Sequence, residues 1–389
     1  MKVIIGAAAL LLIGATDAKP VDYAGDAVAL DRLITENYAY EDHWPGGVLP
    51  DSPVLAHERA AAHDDDSLLH YAEDRIASLA DHHAITGASF KDSWAIVPTY
   101  ADLWVTRHGN HYAIEAVKPG SPAATSGISV GDQLVAVGDV PTAEAVATFW
   151  SALGLAVTDE RADYAARVLA AGRRDRPRDL TIAHAGKIVR LTLPTLYSLK
   201  QDKPPISVMR EGGGSVRILI NNALGDQATI KAFDAAMASL PADAPIIIDL
   251  TDTPSGGNTS VARAMMAWFV DKPTAYQVHQ LPAEERETGI VRQWIEQVLP
   301  RAGKYHAAKP VVRVGRWTGS MGEGLAIGFA AIGARVEGTT MAQLKGAVYD
   351  FPLPSSGLVV KFPAERLYTV AGQPREAYQP AQTGSPRGN

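Results

Sequence analysis

At 389 residues the chain exceeds the usual size of a single hydrophobic core, which predicts two or three packed units. Hydrophobic residues make up 47% and charged residues 20%, enough apolar mass for a substantial core, and this excludes a largely disordered chain. A formal charge of −7 excludes a nucleic-acid binder built on clustered positive charge, and the absence of cysteine excludes a disulfide framework, a lipid-modified cysteine and a thiolate metal site.

The first 18 residues read as an address. Lys2 precedes the apolar stretch Val3 to Ile13, and small residues at Thr16 and Ala18 suit cleavage after Ala18, so residues 1–18 are a candidate signal peptide. A membrane-spanning helix needs about 20 apolar residues, so stable membrane insertion is not expected and a periplasmic or secreted protein is. Residues 19–92 form a helical region. Ala27 to Tyr38 carries apolar residues at helical spacing, and a second helix starts at the acid run Asp64 to Asp66, where carboxylates favour the positive end of the helix dipole. Its apolar face is Leu68, Leu69, Tyr71, Ala72, Ile76 and Leu79.

Residues 93–196 change to strand-like periods at Trp94 to Val97, Leu103 to Thr106 and Tyr112 to Val117. Gly120-Ser121-Pro122-Ala123, Ser126-Gly127 and Gly131-Asp132-Gln133-Leu134 then follow in order as turn, short helix, glycine turn and apolar strand. This stretch resembles a PDZ domain, which implies a unit that takes an extended peptide as an added strand and holds its terminal carboxylate. Helices at Ala143 to Ala152 and Asp159 to Ala171, the first of them walling the peptide groove, and strands at Leu180 to Ala183 and Val189 to Leu193 complete the unit. The second helical stretch departs from a minimal PDZ pattern. The basic run Arg173 to Arg178 reads as a solvated connector.

Residues 197–389 alternate strand and helix and predict an α/β layer. Val216 to Ile220, Ile246 to Leu250 and Pro310 to Val314 read as strands, Asp226 to Leu240, Thr259 to Val270 and Met321 to Ile332 as helices, and Glu284 to Leu299 as a further amphipathic helix. The strand at Ile246 runs into Pro254-Ser255-Gly256-Gly257 before a helix, a place where backbone N–H groups can converge on an anion. Trp317-Thr318-Gly319-Ser320 is a turn into the helix at Met321. Ser320-x-x-Glu323 can serve as a capping box, satisfying helix donors and nothing more, or can set a serine hydroxyl beside N–H groups able to stabilise an oxyanion.

Thr318-Gly319-Ser320-Met321-Gly322-Glu323, Asp249-Leu250 followed by Gly256-Gly257, and the PDZ-like unit together resemble the tail-specific or C-terminal processing serine peptidases, over nearly the whole mature chain. Thr251 and Thr253 stand where that family has Arg and Asn. The resemblance implies an α/β peptidase core with an N-terminal helical region and an inserted β-rich PDZ-like domain. It further implies Ser320 as nucleophile and the N–H groups of Gly257 and Met321 as oxyanion donors. Two bases remain open. In the processing branch a lysine serves, and Lys345 follows Ser320 at that branch's spacing; it requires burial to lower its pKa. In the tricorn-type branch a histidine and a glutamate serve, and Leu79-Ala80-Asp81-His82-His83 and Gly372-Gln373-Pro374-Arg375-Glu376 resemble those segments, placing His83 and Glu376. The implied substrate is a polypeptide, as an extended C-terminal segment, with no metal or cofactor. A peptide-binding protein without hydrolysis, or a hydrolase of small esters or amides, are the alternatives.

Overall fold

In the computed structural model, residues 20–199, 203–221, 224–254 and 257–382 are described. The candidate signal peptide and Gly256 lie outside the described residues. Among the described residues no helix is long and apolar enough to cross a membrane.

The N-terminal region contains α1 (Tyr23–Asn37), α2 (Pro53–Ala61) and α3 (Asp65–Ser78). Asp64 caps α3, accepting from the Ser67 N–H, with Asp65 and Asp66 in the first turn. The buried face of α3 includes Leu68, Tyr71, Ala72 and Ile76; Leu69 is only partly covered. A two-residue strand follows, β1 (Ile85–Thr86), and its partner comes from the other end of the chain.

Strands β2 (Leu103–His108), β3 (His111–Val117), β4 (Gln133–Val137), β5 (Val140–Pro141), β6 (Arg178–His184) and β7 (Lys187–Leu193) form an antiparallel sheet in the order β2-β3-β4-β6-β7, with β5 beside β4. Between strands lie α4 (Pro122–Thr125), then α5 (Thr142–Ala152) and α6 (Asp159–Ala171). Trp94 to Val97 is not a strand. Trp94 makes one isolated bridge to Arg173, whose guanidinium lies 4.0 Å over the indole ring. The basic run is not wholly solvated either, because Arg178 is buried and ion-paired with buried Asp102.

The α/β core follows: β8 (Ile206–Arg210), β9 (Val216–Ile220), α7 (Ala228–Ala238), β10 (Ile246–Asp249), α8 (Thr259–Met266), β11 (Thr274–Gln280), α9 (Pro282–Thr288), β12 (Gln293–Val298), β13 (Val311–Val314), α10 (Met321–Ala331), β14 (Arg335–Gly338), β15 (Ala347–Pro352) and β16 (Val359–Tyr368). The order β14-β13-β10-β9 is parallel throughout, with β8 added antiparallel. All four residues of β10 are buried, as a parallel strand covered on both faces requires. The expected helix at Glu284 to Leu299 is instead α9 and β12. Gly289, at φ 72°, closes α9 in the left-handed region, and β12 then pairs with β11. Burial alternates along β12, but its apolar residues Trp294, Ile295 and Val298 do not, and their spacing also fits a helix.

A third sheet, β1-β16-β11-β12 with β15 on β16, ties the chain ends together. Ile85 pairs with Lys361 and Thr86 with Val360, and Leu353, Val360 and Phe362 enter the same apolar cluster as Leu30, Ile34, Tyr71 and Ile76. The loop between α3 and β1 is thereby held against the α/β core.

Candidate active site

Ser320 sits at the N-terminus of α10 with φ 53° and ψ −117°, a conformation that L side chains rarely adopt. Holding a serine there costs about 1–3 kcal/mol and persists only where the surroundings over-determine it. They do so here. Fully buried Thr318 donates its hydroxyl to the Leu250 carbonyl at 2.7 Å and accepts from the Gly315 N–H at 3.0 Å. The Gly319 N–H donates to the Thr253 carbonyl at 3.0 Å, and a Cβ at Gly319 would stand 2.6 Å from the Pro254 carbonyl oxygen. Thr253 in turn donates its hydroxyl to the Ile220 carbonyl at 3.1 Å. The loop that leads to Gly257 is therefore clamped to the serine turn, and Thr253, at the position where the family pattern has Asn, is part of the clamp.

Glu323 is fully buried one turn into α10. Its carboxylate accepts from the N–H groups of Ser320 at 2.9 Å, Gln343 at 2.7 Å and Leu344 at 3.2 Å. Ser320 and Glu323 thus form a capping box, and the Ser320 hydroxyl at the same time meets an imidazole. Burial pushes Glu323 up to about 7, against the charge of Arg375 and the three N–H donors, which favour the anion.

His83 supplies that imidazole from the loop between α3 and β1. Its Nε2 lies 3.0 Å from Ser320 Oγ, and its Nδ1 lies 2.6 Å from the Lys345 carbonyl oxygen. A carbonyl only accepts, so Nδ1 carries the proton and Nε2 presents a lone pair to the serine hydroxyl. Burial, followed by the charge of Arg375, pushes His83 down to about 4, which keeps it neutral near pH 7. The loop itself is fixed by buried Asp81, which accepts from the His83 backbone N–H and from the Tyr38 hydroxyl, both at 2.8 Å. Its neighbour His82 turns away, donating from Nδ1 to the Ile96 carbonyl at 2.6 Å and stacking on Tyr164.

The two other candidates for assisting Ser320 are placed differently. The Lys345 ammonium pairs with Glu160 at 2.9 Å, so a lysine–serine dyad is not formed; its part in the site is its carbonyl. That carbonyl also takes the place expected for the Glu376 carboxylate on the imidazole. Glu376 accepts through its backbone from Gln343 Nε2 at 3.1 Å, and its charge helps to raise the nearby Tyr40 phenol, itself raised mainly by burial.

Arg375, to which the family resemblance gives no role, is part of the site. Buried, it donates to the carbonyls of Leu344 at 2.7 Å and Gly346 at 2.8 Å, on either side of Lys345. Residues 343–346 are therefore a strap gripped by Glu323 through its N–H groups and by Arg375 through its carbonyls. Gln343 and Gly346 both have positive φ, and a Cβ at Gly346 would stand 2.0 Å from the Glu365 carbonyl oxygen. The signal in the sequence was an arginine beside the candidate glutamate, which nothing in the local pattern marks as buried. The N–H groups of Met321 and Gly257 have no hydrogen-bond acceptor among the described residues.

No protein-family model matches the sequence, and no curated protein matches it. Solved structures do. Mature CPAF superposes with a TM-score of 0.57 at 15% identity over 92% of each chain, and the photosystem II D1 C-terminal processing protease with 0.53 at 14% identity over 93% of each. The fold is that of a C-terminal processing protease. The processing-protease fold extends over the N-terminal helices, the β-rich unit and the α/β core alike, since both matches span more than nine-tenths of the chain.

Proposed function

We propose that this chain is a serine peptidase that cleaves polypeptide through an acyl-enzyme on Ser320, with His83 as general base. The observation that carries the reading is the neutral His83, its Nε2 3.0 Å from Ser320 Oγ and its tautomer set by the Lys345 carbonyl. In this reaction Ser320 Oγ attacks the scissile carbonyl while its proton passes to Nε2. The N–H groups of Met321 and Gly257 receive the developing oxyanion. The imidazolium then gives its proton to the leaving amine, and water repeats the sequence on the ester to free Ser320. The orienting role that a carboxylate fills in a Ser-His-Asp triad falls to a backbone carbonyl, and Glu376 has no direct part. A built nucleophile–base pair favours hydrolysis over a purely binding role.

The β-rich unit supports a PDZ-like reading through its antiparallel sheet, the short α4 that Ser121 caps and Pro122 opens, and the longer α5. The expectation of an extended C-terminal segment as substrate rests on that unit offering a free strand edge. Export is part of the proposal on the strength of Lys2 and the apolar run Val3 to Ile13.

A fluorophosphonate probe tests the reading. The parent chain should be labelled at Ser320 and should digest an unfolded protein, and both signals should vanish in His83→Ala. A folded parent that takes no label at Ser320 would remove the peptidase.

A further inference from the structure

The sheet of the β-rich unit ends in two edge strands, β2 and β7, and β2 is the one that a PDZ-like groove would use, because the helices α5 and α6 stand on its side. Strand β2 ends its sheet, paired on one side with β3 alone. An edge strand displays a row of unpaired N–H and C=O groups, and peptide recognition by strand addition takes those groups as its partners. Along β2 two of them are already taken by one helix. The Arg107 N–H donates to Asp163 Oδ1 at 2.7 Å, and the Val105 carbonyl accepts from Arg167 Nε at 3.0 Å. Asp163 and Arg167 are one turn apart on α6 and pair with each other at 3.3 Å.

The helix that carries them lies between α5 and β2 and packs on both. Its face toward the sheet and α5 is closed: Ala162, Tyr164, Ala165, Ala166, Val168, Leu169 and Ala170 are all buried. Trp150 of α5, fully covered, donates its indole N–H to the Arg161 carbonyl at 2.7 Å. Two residues of the same helix also reach the catalytic loop and strap. Tyr164 stacks on His82 with ring centroids 4.4 Å apart, and Glu160 holds the Lys345 ammonium. Displacing α6 would therefore expose core side chains and release the neighbour of His83 at once.

We infer that α6 is a permanent internal occupant of the peptide-accepting edge of the β-rich unit, so that the peptidase acts on interior stretches of extended polypeptide and does not read a free C-terminal carboxylate. This rests on the serine-peptidase reading above and replaces the tail-specific substrate with an endopeptidase substrate. An added strand meets β2 where α6 already holds its main chain, and α6 fills the space between β2 and α5 that its side chains would need.

The test uses the full chain and one peptide in three forms: with a free C-terminal carboxylate, with a C-terminal amide, and extended beyond the same C-terminus. kcat/KM should agree across the three within about threefold, and a preference of about tenfold or more for the free acid overturns the inference. Should none of the three be cleaved, the peptidase reading falls, and fluorescence anisotropy with the labelled acid and amide forms decides the inference separately. Equal affinity, or no binding of either form, upholds α6 as occupant of the edge, whereas acid bound about tenfold tighter than amide overturns it.

Discussion

The turn at Ser320 and the strap at residues 343–346 meet at the same imidazole but contribute by different means. The turn offers a side chain, Ser320 Oγ, to Nε2; the strap offers a main-chain carbonyl, that of Lys345, to Nδ1. In the turn residue identity matters most, because the proposed attack needs a hydroxyl. In the strap conformation matters most, because every residue has a carbonyl and what counts is where it points. Substitutions at the two places should therefore behave unlike one another.

The largest effect belongs to the side-chain partners. Ser320→Ala and His83→Ala should each lower kcat by on the order of 10⁵- to 10⁶-fold, and the double variant by little more, since the two act as a unit. Titration of active sites with a fluorophosphonate, with folding checked by circular dichroism, reads this. Additive losses would break the pairing of the two residues.

Strap substitutions should come next. Arg375→Ala removes donors to the carbonyls on both sides of Lys345, and Gly346→Ala places a Cβ against the Glu365 carbonyl at a positive φ. Displacing the Lys345 carbonyl by about 1 Å loosens the imidazole and should lower kcat/KM by about 10²-fold. Partial rescue of Arg375→Ala by added guanidinium would mark a positioning role, since a general loss of stability would not respond to it. Unchanged activity in both variants would mean that the strap does not orient His83.

The pH profile sharpens the same division. Burial lowers His83 to about 4, so the base form persists well below the usual imidazole range. Burial raises Glu323 to about 7, so protonation on falling through that pH weakens its hold on the N–H groups of Gln343 and Leu344. The acid limb of kcat/KM in the parent should therefore lie near 7 and report the strap. In Glu323→Gln that limb should disappear, leaving a lower rate that stays level toward about 4. An acid limb near 7 that survives in Glu323→Gln would assign it to the imidazole instead.

What could be read in the sequence follows the same line. The Ser320 turn lay between an apolar strand and an apolar helix, both periodic and local, so the element and its hydroxyl were visible together. His83 was legible through the resemblance of Leu79-Ala80-Asp81-His82-His83 to the tricorn-type segment, since a histidine at a helix end carries no signal by itself. The strap was not, because its function lies in carbonyl direction, set by Arg375 and Glu323 from distant segments. The β15–β16 hairpin and β1 escaped for a related reason: β1 is two residues long, and its partner is contributed by the far end of the chain. Helix α6 was visible as a helix, but its position beside β2 depends on Asp163 and Arg167 finding main-chain partners on another element.

Lys345 puts the comparison to its hardest test, because the family resemblance offers its ammonium as a base and the geometry uses only its carbonyl. The ammonium pairs with Glu160, whose side chain is about half exposed, at 47%, and it also lies 5.9 Å over the Tyr40 ring. The Lys345 side chain is 15% exposed, so the pair is half-open rather than free in water and its loss costs on the order of 1 kcal/mol, but the main chain of the strap stays gripped by Glu323 and Arg375. Lys345→Ala should then change kcat/KM by no more than about threefold, with the same acid limb as the parent. A loss on the order of 10³-fold, comparable with removing a general base, would return the ammonium to the chemistry. A small loss with His83→Ala inactive would instead confirm that at this position the side chain is replaceable and the carbonyl is not.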